Sequence, residues 1–195
     1  MSSEKLGRRL EQLFATLAKS AFLTNRGIGN EIGFYIFSYD PEFEPVVMNY
    51  LPRLKERLGQ AGVKVLEFNL YTLILDLLRE KDVLDDTFAL EARKGVAGLE
   101  KALKKIVRPE QLVAMIERRL SEPHDLVFLT GVGAAYPMIR SHTVLNNLHS
   151  VIDKVPAVMF FPGSYDGQEL RLFNLLKDDN YYRAFPLLPE AAVGT

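Results

Sequence analysis

The chain has 195 residues, 48% of them apolar and 25% charged, with 24 basic against 25 acidic side chains and a formal net charge of -1. This composition excludes a disordered or fibrous chain and supplies no global field to hold a polyanion. The lack of cysteine excludes a disulfide framework, a thiolate metal site and a cysteine nucleophile. The length suits one full-sized core, so a single domain over 1–187 is expected, with a frayed tail over 188–195. No apolar run approaches the roughly 18 residues of a membrane span, and the opening MSSEKLGRRLEQLF has no compact apolar signal core. A cytoplasmic protein with no membrane association is the expectation.

Leu6, Leu10, Leu13, Leu17 and Ala21 recur at helical spacing with Glu4, Arg8, Arg9, Glu11 and Lys19 between them, which predicts an amphipathic helix over 3–22 packed on the domain's own sheet. Three glycines in NRGIGNEIG, residues 25–33, break it. GFYIFSY at 33–39 reads as a strand closed by Asp40 and Pro41. Asp40 is placed to cap a helix running to about Gly59, bent or restarted at Pro52. VKVLEFN at 63–69 is a second strand and YTLILDLLRE at 71–80 a helix. Helical periodicity then persists to Glu122, with Pro109 opening a new helix. The span 70–122 is therefore a helical excursion between the second and third strands.

HDLVFLTG at 124–131 is continuously apolar, as a strand covered on both faces should be. VPAVMFF at 155–161 is another such strand, reached through a loop and a helix near 142–151. PGSYDG at 162–167 reads as a loop, ELRLF as a short edge strand, and NLLKDDNYYRAFPLL as a mixed element. Strands joined by helices predict an α/β fold: three layers, a mainly parallel sheet of four to five strands, helices on both faces. In that class ligands meet the carboxyl ends of the strands. This rule selects Tyr39 and Asp40, Asn69 and Tyr71, Thr130 through Tyr136 with Gly131 and Gly133, and Pro162 through Asp166 with Ser164 and Tyr165, as one candidate surface.

Short motifs for specific chemistry fail on their own terms. Gly131-Val132-Gly133 leaves a strand as a dinucleotide fingerprint does, but the third small position is Tyr136, followed by Pro137. No GKS or GKT occurs, so a P-loop is missing. Ser164 stands second in GSYDG, not at the centre of a nucleophile elbow, and reads as a turn residue. His142 and His149 are too far apart on one helix for a two-histidine zinc pair, and His124 begins a strand. No cofactor and no metal are expected. Lys101, Lys104, Lys105 and Arg108 form the one basic cluster, read as a solvated face with weak nucleic-acid contact as the alternative.

Long ordered blocks carry more information. LTGVGAAYPMIRSHTVLNNL at 129–148, PAVMFFPGSYDGQELRLF at 156–173 and DDNYYRAFPL at 178–187, with FYIFSYDPEFE at 34–44 and LPRLKERL at 51–58, resemble the BrxB family of bacteriophage-exclusion (BREX) defence systems. The resemblance implies a small cytoplasmic component encoded beside an ATPase, a DNA methyltransferase and a PglZ protein of the alkaline-phosphatase superfamily. It supplies no catalytic residue. Physically, Tyr136, Tyr165, Tyr181 and Tyr182 with Arg140 and Arg183 offer the ring and guanidinium mixture of interface cores. The same side chains can equally close a core or pair internally with Asp40, Asp166, Asp178 or Asp179. The expectation is a non-enzymatic assembly or regulatory subunit that binds the PglZ-type partner. The alternatives are a degenerate nucleotide- or anion-binding domain, or a subunit touching DNA only weakly or indirectly.

Overall fold

The structure is a computed structural model and describes residues 2–24, 33–178 and 184–188. The first amphipathic segment forms α1, Ser3–Leu17, and a short α2, Ser20–Leu23. Ser2 caps α1 by accepting from the Lys5 amide at 3.3 Å. The helix expected over 3–22 is interrupted because Lys19 is extended, at φ -77° and ψ 128°. Strand β1, Phe34–Tyr39, leads into a 3-10 turn at Pro41–Phe43 and then α3, Glu44–Gln60. Asp40 holds the cap position of that turn, yet its side chain makes no capping hydrogen bond. Pro52 lies inside α3 without ending it.

Strand β2, Val65–Asn69, passes directly into α4, Leu70–Glu80. Helix α5, Leu84–Ile106, consists of two helical pieces joined at Gly95, and α6 follows at Pro109–Arg119. Strand β3, Leu126–Thr130, is joined to β4, Ala157–Tyr165, through the short α7, Val132–Ala135, and α8, Ser141–Leu148. Three short strands complete the described chain: β5, Leu170–Leu172; β6, Leu176–Asp178; and β7, Ala184–Pro186.

The main sheet has the order β2-β3-β4-β1-β7, and every pairing in it is parallel. The expected α/β class is therefore observed. Strands β1 and β2, consecutive in the chain, are separated in space by β3 and β4. Side chains alternate across the pleat as strand geometry requires. Val127, Leu129, Ala157, Met159 and Phe161 face one core, closed by α4, α6 and α8. Leu126, Phe128, Val158 and Phe160 face a second core, closed by α1 and α3. Burial on both sides is why these runs are continuously apolar.

The expected loop at 162–167 is a correction. Strand β4 does not stop at Phe161 but continues to Tyr165, leaving the parallel sheet to pair antiparallel with β5. β5 pairs in turn with β6. Gly163 makes this possible: it stands opposite Leu172, and a Cβ there would overlap the Arg171 carbonyl oxygen. The reversal occurs one step later, where the Asp166 carboxylate accepts from the Gln168 and Glu169 amides at 2.8 and 2.7 Å. The second departure lies at the end of the chain, where Ala184–Pro186 joins the main sheet beside β1.

Candidate functional site

The carboxyl ends of the parallel strands form a continuous surface whose parts serve different purposes. β3 ends at Thr130, fully buried, whose hydroxyl donates to Glu67 at 2.7 Å. The other oxygen of Glu67 meets Lys55 Nζ at 2.5 Å, so a buried-edge carboxylate is satisfied from both sides. Gly131 then turns the chain with φ 68°, and a Cβ there would overlap the Asn69 amide. Asn69 itself caps α4 by accepting from the Thr72 amide at 3.1 Å. This glycine locks two strand ends together. Gly133 has its own close neighbours, the rings of Phe173 and Pro162, so neither glycine opens a path to a pyrophosphate.

Beyond α7 the connection rises along a cleft of about 230 Å³. Phe161, Leu170 and Leu172 make its apolar floor. Tyr136 stands on one wall, with its ring perpendicular to Phe173 at 6.4 Å between centroids. Arg140 and Ser141 lie at the start of α8. Arg140 is exposed and makes no ion pair among the described residues. Ser141 is only 8% exposed and its hydroxyl has no hydrogen-bond partner among the described residues. On the opposite lip are Lys177 and Leu175, the latter 83% exposed. Glu169 bridges the hairpin, taking Lys177 at 2.9 Å and also Arg171. Both cations hold the Glu169 carboxyl below its ordinary range, Lys177 most strongly.

The other predicted positions divide between support and surface. Tyr165 is buried, and its hydroxyl donates to the Ala184 carbonyl at 2.7 Å, tying the end of β4 to β7. It is a core tyrosine, the core-closing use of the two its ring and hydroxyl allow. Ser164 is half-buried and paired with Arg171 in the ladder, so it is a strand residue and not a turn residue. Asp166 forms the hairpin turn, and the Glu169 and Gln168 amides pull its carboxyl below the usual range. Asp40 is half-buried at the end of β1. Tyr181, Tyr182 and Arg183 lie outside the described residues.

Near Asp40, Tyr39 donates its hydroxyl to Glu44. Burial pushes the Glu44 carboxyl up, with the Tyr39 hydrogen bond acting against it, and burial raises the Tyr39 hydroxyl as well. Lys101, Lys104, Lys105 and Arg108 sit on α5 and just past its end, and none lines the cleft. Lys104 is engaged by Glu100 at 2.5 Å. His149 packs against Phe34 with ring centroids 4.1 Å apart and the rings tilted by 47°, and His124 Nδ1 lies 2.6 Å from the Glu122 carbonyl. Among the described residues no group of three or more His, Asp or Glu is arranged to hold a metal, and no helix is long and apolar enough to cross a membrane.

The structure thus brings Tyr136 and Arg140 into one cleft and leaves Gly131, Gly133, Tyr165 and Asp166 in supporting positions. Sequence reasoning missed Ser141, Leu175 and Lys177. The alternation of ELRLF was a legible sign of β5, but nothing local signalled that the following turn would fold Leu175 and Lys177 back over Phe161.

The family described as BREX protein BrxB matches residues 66–187, a span that contains the whole cleft. The chain belongs to the BrxB family. Two relatives that carry the name BREX protein BrxB extend the likeness. One from Bacillus cereus (strain H3081.97) is 46% identical over 189 residues, covering 94% of this chain and 98% of that protein. One from Escherichia coli O9:H4 (strain HS) is 33% identical over 183 residues, covering 93% and 91%. No solved structure matches. Membership in the BrxB family makes the chain a BREX component, and the resemblance noted from sequence blocks alone is confirmed.

Proposed function

We propose that this chain is a non-enzymatic assembly or regulatory subunit of a BREX phage-defence complex, docking a PglZ-type partner of the alkaline-phosphatase superfamily through the strand-end surface. The observation that carries the reading is the character of the cleft: an apolar floor, an aromatic wall at Tyr136, and the exposed guanidinium of Arg140. Aromatic and arginine anchors set around an apolar centre are the mark of interface cores. Two carboxylates of the adjoining hairpin are already engaged, Asp166 in a turn and Glu169 between two cations. They favour structure over proton transfer.

The nucleotide-binding alternative is weakened by magnitude, because about 230 Å³ falls below the roughly 300 Å³ at which small-molecule pockets begin. The DNA-contact alternative rests on a cluster whose Lys104 is already paired. Co-purification tests the leading reading. Tagged, folded protein should retrieve the PglZ-type subunit at moderate salt, and retrieval of no BREX subunit under those conditions would refute it.

A further inference from the structure

We propose that the cleft between α8 and the β5–β6 hairpin receives an internal, extended segment of a partner protein, carrying one large apolar side chain next to an aspartate or glutamate. This rests on the docking role proposed above and specifies the chemistry of what docks.

Size comes first. A space of about 230 Å³ is smaller than the roughly 300 to 1,000 Å³ of cofactor and ligand pockets, but it suits a single anchoring side chain. Its floor of Phe161, Leu170 and Leu172 is apolar and rewards burial of such a group.

Charge comes second. The polar groups on the cleft's rim are donors: the Arg140 guanidinium, the Lys177 ammonium shared with Glu169, and the Ser141 hydroxyl. Ser141 is more than nine-tenths buried against the cleft, with no hydrogen-bond partner among the described residues. Its hydroxyl opens to the cleft and can donate to an acceptor that arrives from outside. It also stands at the first turn of α8, where backbone amides favour negative charge. A carboxylate beside the anchor answers all of these donors together, and a basic segment would meet two cations.

Backbone comes third. Among the described residues β6 pairs with β5 and no other strand takes its second edge, which runs beside the cleft lined by Leu176 and Lys177. An extended segment can run along that edge, which favours a continuing chain over a chain terminus.

The test uses the full chain, immobilised, and a library of short peptides blocked at both ends, with a central Phe or Leu and randomised neighbours. Enriched members should carry Asp or Glu immediately beside the apolar residue. Arg140→Glu, an exposed substitution, should weaken their binding by roughly tenfold or more, the scale of one interface anchor. Leu175→Asp, at the exposed lip, should act in the same direction and guards against a folding defect peculiar to the first variant. No enrichment, enrichment indifferent to both variants, or binding only of peptides with a free terminal carboxylate would overturn the assignment. Retrieval of the PglZ-type subunit by Arg140→Glu at the parent level would refute the cleft while sparing the docking role. Peptide capture without any retrieval of that subunit would do the reverse.

Discussion

Glu44 shows how a single residue couples this surface to pH. Burial raises its carboxyl pKa above the ordinary value, and the hydrogen bond from Tyr39 offsets only part of that. A carboxyl raised in the folded state binds more protons than in the unfolded chain, so its contribution to stability declines as pH rises from ~4.3 through the raised folded value. Glu44→Gln keeps an acceptor for the Tyr39 hydroxyl and removes the titration. Urea midpoints measured on both proteins should converge at the acidic end and separate in favour of the variant as pH increases. Parallel pH profiles would show that Glu44 is not strained by burial. Asp166 has the opposite sign: two amides lower its pKa, so its contribution is present above the ordinary aspartate value and is lost as pH falls through the lowered one. This too is a residue effect, confined to one hairpin turn.

At the scale of elements, the two long amphipathic stretches of the sequence turned out differently. α1 buries Leu6, Leu10, Leu13 and Leu17 against the sheet, while Arg9 reaches over Phe37 and donates to the Ser38 carbonyl at 2.8 Å. It is an integral layer, as its leucine spacing predicts. Leu13→Ala, at a position with no exposure, should lower unfolding stability by about 2 to 5 kcal/mol. Gln12→Ala on the wet face should change it by less than about 0.5 kcal/mol, both read from denaturant melts. α5 differs: its buried residues are Thr87 and Leu103 alone, and Phe88 and Val96 are exposed. Periodicity predicted a helix there correctly, yet periodicity records amphipathic spacing and does not tell which stripe will be covered. The hairpin was less legible still. PGSYDG has the composition of a turn, and only the pairing of Gly163–Tyr165 with β5 makes most of it strand.

For the whole molecule, a net charge of -1 supplies no global field, so the proposed docking calls for a local surface. Reversing charge on α5 with Lys104→Glu and Lys105→Glu should therefore leave retrieval of the BREX partner at the parent level in a pull-down. Loss of retrieval with that pair would move the contact from the cleft to the basic helix.

The sequence by itself determined the α/β class, the covered strands, the family and the end of the sheet where function was sought. Each of these is carried by local periodicity or by long ordered blocks such as LTGVGAAYPMIRSHTVLNNL. Only the tertiary structure decided that β3 and β4 stand between β1 and β2, that Tyr165 is a core clamp, and that Arg140 and Ser141 share a cleft with Leu175 and Lys177. The reason is physical: strand order and clefts arise from contacts between residues far apart in the chain, and a local pattern holds no record of which distant partner will complete it.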